Sequence, residues 1–292
     1  MDFLLDIKLR FLAKRYNAEY LALRSDRIFL KEYRKLERQS HDFVRVRRSK
    51  TDGIRRRIAS VYLQSQSSDE VIRNLYDVEY ASGQEKYYGY IAPILTPRGF
   101  ELIVGNDFLQ RNDSKTILDV GAGSNEFLRF CHQALAFSRV NLYGIDLSAE
   151  SIKTVVADGF HGYQGTLRDA PFSAHSFDLI YLSYFIDYDT DQLGTFAAAR
   201  ELVKIGGHIV LEGWFPVRQV GLLESDKNTF EYITKGRSAS EDIELVIRAL
   251  GSDAPNDSSI TCKRILRGYR AVHSHRGLNI LPSFYLVFKR LP

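Results

Sequence analysis

From Lys115 onward, apolar strand-like runs alternate with helix-like runs, and near the end of the chain that alternation stops. Strands are expected at residues 116–120, 140–145, 161–164, 177–182 and 208–212. Helices are expected at 126–137, 149–158, 192–204 and 240–250. Strands joined through helices lie parallel, and strands with apolar cores are covered on both faces. The last two runs, 260–270 and 283–290, are both strand-like and are joined by a loop with Gly277 and Pro282. Two strands in succession without a helix form an antiparallel hairpin. The expected fold is α/β: a doubly wound, mostly parallel seven-stranded sheet with an antiparallel C-terminal hairpin, preceded by an α-helical N-terminal extension.

Charge divides the chain differently. Residues 1–60 hold 17 Lys+Arg against 8 Asp+Glu, while the whole chain of 292 residues has 40 against 36. A basic head therefore precedes a mildly acidic body, and the expected boundary lies near residue 70, in the polar stretch 65–70. Phe29, Tyr33 and Leu36 fall at helical spacing in this head. The run Arg45, Arg47, Arg48, Lys50, Arg55, Arg56 and Arg57 is either a phosphate-binding patch or a solvated arm that pairs with the acidic body or a second subunit. Two cysteines, Cys131 and Cys262, exclude a disulfide framework and point to a reducing, cytoplasmic setting. No run of about 18 apolar residues suggests a membrane span.

The motif richest in chemistry is Ile117-Leu118-Asp119-Val120-Gly121-Ala122-Gly123-Ser124-Asn125-Glu126-Phe127. An apolar strand runs into a glycine turn that opens a helix, so the backbone can approach a ligand closely and free N–H groups face it. Asp146 follows at the end of the next strand, 23 residues after Gly123. A carboxylate there can accept both hydroxyls of an adenosine ribose, or it can cap the next helix. Ser148 is the better cap, which leaves Asp146 to a ligand. A nicotinamide site prefers a third glycine where this chain has Glu126, and no P-loop sequence occurs.

In these pieces the sequence resembles the class I S-adenosylmethionine-dependent methyltransferases, of the small-molecule type. Asp119-Val-Gly-Ala-Gly looks like the family's first motif, and Gly144-Ile-Asp146 like its ribose motif. Asp169-Ala-Pro-Phe-Ser-Ala-His-Ser-Phe-Asp178 and Ala199-Arg-Glu-Leu-Val-Lys-Ile-Gly-Gly207 resemble its passages into the fourth and fifth strands. The resemblance covers about residues 75–292 and implies a cofactor-binding methyltransferase domain over 71–292, with a tyrosine-rich cap at 71–110. It implies S-adenosyl-L-methionine as cofactor, held by Asp119, Gly121, Ala122, Gly123, Asn125, Asp146, Leu147, Thr166, Leu167 and Ser183. Asn125 stands where the family often has a third glycine, and its amide is expected on the methionine part of the cofactor. Thr166 stands where the family often has an acid that binds adenine, while Asp169 is expected to face solvent.

Methyl transfer needs mainly alignment and exclusion of water, so no catalytic triad is required. Asp187 and Tyr184, after the fourth strand of the motif region, are the candidate catalytic residues; Asp187 and Asp189 can alternatively cap the next helix. Tyr80, Tyr88 and Trp214 are candidates for the substrate pocket, or for ordinary packing. His273 and His275 are too few for a metal site, and none is expected. Ser183-Tyr184-Phe185-Ile186 lacks the Pro-Pro motif typical of amino-methylating nucleic-acid enzymes in this family. The expected acceptor is a small molecule methylated on O or N, in secondary metabolism. The alternatives are an RNA or protein methyltransferase using the basic head, and a non-catalytic adenosyl-binding regulatory subunit. The expected partners are the acceptor and a second copy of the chain meeting through the extension; no membrane is expected, and nucleic acid is disfavoured.

Overall fold

The computed structural model describes residues 2–22, 73, 77, 90–91, 96–110, 112–183, 189, 191–214, 239–250, 259–274 and 277–292. Within them nine strands share one sheet: β1 (Glu19–Ala22), β2 (Tyr90–Ile91), β3 (Ile117–Val120), β4 (Leu142–Asp146), β5 (His161–Gln164), β6 (Phe177–Ser183), β7 (Val203–Trp214), β8 (Ile260–Ser274) and β9 (Gly277–Arg290). The helices are α1 (Asp2–Arg15), α2 (Pro97–Val104), α3 (Asn106–Leu109), α4 (Glu126–Leu135), α5 (Ala149–Ala157), α6 (Gln192–Leu202) and α7 (Ala239–Leu250).

The strand order is β1-β8-β9-β7-β6-β3-β4-β5, with β2 also paired to β8. Strands β3 to β7 run parallel to their neighbours among themselves, and β9 is antiparallel to both β7 and β8. All seven expected strands are present. The two extra ones cover the outer edge of β8: β1 pairs in parallel with residues 264–267, and β2 pairs antiparallel with residues 271–272. An uncovered long edge strand would template aggregation, so these short segments have a clear physical use.

Two cores form because side chains alternate across the pleat. One face buries Leu118, Val120, Ile180, Leu182, Ile209 and Leu211 under α1, α6 and α7. The other buries Ile117, Leu179, Tyr181, Val210, Tyr285 and Val287 under α2, α3, α4 and α5. Such continuous burial explains why the central strands read as apolar runs.

Helix α1 of the expected extension packs on the sheet that β1 joins: Leu9, Leu12 and Ala13 are core residues, and the wholly buried Arg267 on β8 donates to Asp6 at 3.1 Å. The Tyr20 hydroxyl donates to the same carboxylate. The end of the expected cap, residues 96–110, is core as well. Thr96 caps α2 by accepting from Gly99 N, Pro97 opens the helix, and Phe100, Ile103 and Phe108 are buried. The basic run at residues 45–57 lies outside the described residues.

Candidate functional site

The chain runs from β3 through β4 to β5 in one direction and then continues through β6 to β7 on the other side of β3. The carboxyl ends of β3 and β6 thus flank the switch point where open α/β sheets take ligands. The glycine turn sits there. Gly121 and Gly123 have φ of 77° and 55°, a region open mainly to glycine. Gly121 N and Ala122 N donate to Ile145 O at 2.9 and 3.1 Å, which pins the turn to the end of β4. Gly144 lets β4 pack closely, since a Cβ there would lie 3.1 Å from the Ala122 Cβ and 3.2 Å from Leu128 Cδ1.

Asn125 also adopts a left-handed conformation, with φ of 65°, at the N-cap of α4. Glycine and asparagine are the residues most at ease there, so Asn125 replaces a glycine without changing the turn. Its amide nitrogen donates to Asp158 at 2.8 Å, and Arg129 donates to the same carboxylate. That bond uses one of the two N–H groups of the side-chain amide. The buried Oδ1 has no partner among the described residues.

Asp146 ends β4, half-buried. Gly123 N donates to one carboxylate oxygen at 2.9 Å and Ser148 N to the other at 2.8 Å. A carboxylate has about four lone-pair sites, so about two remain for ribose hydroxyls. The helix-cap alternative for Asp146 falls to Ser148, which accepts from Ser151 N at 3.2 Å as the N-cap of α5. Burial raises the Asp146 carboxyl above its ordinary range, against the two backbone N–H groups that stabilise its charge. Next to it, Asp119 is 2% exposed, and burial first, then the charges of Asp146 and Glu212, push its carboxyl well above the ordinary value.

The remaining candidates divide. Leu147 is half-buried, Leu167 is buried in the core, and Thr166 donates to Asp169 Oδ2 at 2.5 Å. Asp169 is exposed, as expected. Ser183 ends β6 in register with Glu212. Trp214 ends β7 in register with Ser283. Asp189 accepts from Asp191 N at 3.0 Å, while the cap of α6 is Asp191, which accepts from Gly194 N. Tyr80, Tyr88, Tyr184 and Asp187 lie outside the described residues.

Sequence reasoning missed two residues beside the site. Glu212 is 1% exposed near the end of β7 and accepts from the hydroxyls of Tyr181 and Tyr285. An acid closing the apolar run Ile209-Val210-Leu211 was the available signal. Asp77 accepts from the Ser148 hydroxyl at 2.6 Å, a contact across 71 residues that no local pattern announces. Among the described residues no group of three or more His, Cys, Asp and Glu could hold a metal ion, and no helix is long and apolar enough to cross a membrane.

The positive-φ glycines, a carboxylate with spare lone pairs and an opening helix fit an adenosyl cofactor. Residues 98–233 match the family model described as a methyltransferase domain. A protein solved in work on the conversion of a disulfide bond into a thioacetal group during echinomycin biosynthesis has a similar fold. It is 14% identical, with a TM-score of 0.52 over 75% of this chain and 92% of that one. An S-adenosylmethionine-dependent methyltransferase of Mesorhizobium loti is 15% identical over 64% of this chain and 98% of its own, with a TM-score of 0.42. One from Aquifex aeolicus is 13% identical over 71% and 97%, with a TM-score of 0.43. No curated protein matches the sequence significantly. A methyltransferase domain matched over residues 98–233 thus sits on a Rossmann-like sheet, and the cofactor that fits it is S-adenosyl-L-methionine.

Proposed function

We propose that the enzyme transfers a methyl group to O or N of a small-molecule acceptor in secondary metabolism, within the reducing cytoplasm. The observation that carries this reading is the acidic character of the cofactor edge. Asp77 and Asp146 meet there through Ser148, and Asp146 has no lysine or arginine partner among the described residues. Such an edge suits a cationic cofactor and repels the phosphates of a nucleic acid. The two free, buried cysteines fit a reducing compartment.

The bound cofactor supplies an electrophilic sulfonium methyl. In this reading Asp146 accepts the ribose hydroxyls, and Gly121, Ala122 and Gly123 let the backbone approach the methionine part. The Asn125 Oδ1 accepts from its ammonium, and Thr166, Leu167 and Leu147 border the adenine. Ser183 lines the floor, while Asp187 and Tyr184 orient the acceptor and receive its proton. Tyr80, Tyr88 and Trp214 shape the acceptor pocket. Orientation of this kind can supply about 7–11 kcal/mol of barrier lowering. Pairing of two chains through the N-terminal extension is part of the same proposal.

The test is incubation with cofactor labelled on the methyl group and cell extract, with and without nuclease or protease. Label in a low-mass product that survives both treatments is expected. Label that disappears with nuclease or protease would replace this reading with RNA or protein methylation.

A further inference from the structure

Ser148 joins two systems. Its backbone N–H fixes one oxygen of Asp146, and its hydroxyl, with a single proton to give, donates to Asp77 Oδ1 at 2.6 Å. The same hydroxyl accepts from Ser151 N at 3.2 Å, and the Ser151 hydroxyl in turn donates to Gly123 O at 2.7 Å. Ser148 and Ser151 are both fully buried. Asp77 also faces Glu150 N at 3.5 Å, so its carboxylate sits at the N-terminus of α5, where the helix dipole favours a negative charge. Asp77 is therefore tied, 71 residues away in sequence, to the turn that carries Asp146 and to the glycine turn.

We propose that Asp77 is a positioning residue for the cofactor: through Ser148 it sets the orientation of the Asp146 carboxylate and of the Gly123 backbone. The inference rests on the reading of Asp146 as the ribose acceptor. An alternative, in which Asp77 only caps α5, predicts loss of stability without loss of affinity. The charged groups that interact with Asp146 among the described residues are Asp119 on β3 and Asp77, while Glu150 N and the Lys153 charge on α5 face Asp77. Asp77 adds a repulsion that makes Asp146 harder to ionise.

Calorimetric titration of S-adenosylmethionine and of S-adenosylhomocysteine into the full chain tests this, with melting temperatures recorded alongside. Asp77→Ala and Ser148→Ala should each weaken both ligands about tenfold, as expected for a lost charge-assisted hydrogen bond. The double variant should be no weaker than the worse single one, because both changes break one linkage. Asp77→Asn keeps an oxygen to accept from Ser148 and should recover most of the affinity. Its acid limb of cofactor affinity should move to lower pH, because the repulsion of Asp146 is gone. Affinity unchanged in Asp77→Ala with only a lower melting temperature overturns the proposal. So do losses that multiply in the double variant, or Asp77→Asn as weak as Asp77→Ala. Wild-type protein that takes up neither ligand overturns the cofactor-site reading and this inference together.

Discussion

The carboxyl ends of β3 and β4 and the outer strands β8, β9 and β1 use charge in opposite ways. At the first, Asp146 is held by two backbone N–H groups, has lone pairs to spare and has no described cation beside it. At the second, charges are matched across long stretches of chain. Arg267 meets Asp6, Arg264 meets Glu19, and on the adjoining helices Arg15 meets Glu244. These pairs are 261, 245 and 229 residues apart. Matched charge closes the architecture, while charge left with spare capacity marks a place for a ligand.

The largest effect expected from breaking this contrast is in the matched half. Arg267→Ala leaves Asp6 without its buried partner and should cost about 3–5 kcal/mol, read as a lower denaturant midpoint. Asp6 has a lowered carboxyl, first through the Tyr20 hydroxyl and then through Arg267 and Arg10. Its contribution is therefore complete above the ordinary value of 3.8 and is lost as pH falls through the lowered folded value. Asp6→Asn should remove that part of the acid dependence.

His208 sharpens the comparison next. It is 8% exposed on β7, edge-on to Phe108 at 5.4 Å, and burial with the charges of Lys289, Arg264 and Lys115 lowers it from 6.5 to about 4. Between those values the unfolded chain binds a proton that the folded one refuses. Stability should thus fall by about 3 kcal/mol as pH drops from 6.5 to 4, and His208→Gln should flatten that slope in pH-dependent denaturation.

Between the two regions stands Glu212. Tyr285→Phe removes one donor to its buried carboxylate and should cost about 1–3 kcal/mol in the same assay. The smallest effect belongs to the exposed pair Arg15–Glu244, where Arg15→Ala should change stability by no more than about 1 kcal/mol despite its reach across the sequence.

How far each region was legible follows from the distance over which its signals act. Residues 117–127 and Asp146 could be read because strand, glycine turn and acid sit within one βαβ unit. Ser148 as the cap of α5 followed from local chemistry alone. In residues 2–22 the basic composition hides that Leu9, Leu12 and Ala13 share one buried face. Nothing local tells β1 that its partner is residues 264–267. The Thr96–Pro97 start of α2 was a readable capping signal that the surrounding tyrosines obscured. Glu212 and Asp77 were missed because their meaning depends on hydroxyls brought from other strands and helices.

The account turns on the carboxylate at the end of β4, and titration of S-adenosylmethionine into wild-type protein and Asp146→Ala measures it most directly. Loss of the charge-assisted bonds to ribose should cost about 1.5–3 kcal/mol, roughly ten- to over a hundredfold in affinity, with the circular dichroism spectrum unchanged. Equal affinity in the two proteins would contradict the assignment of Asp146 and the reading of the glycine turn built around it.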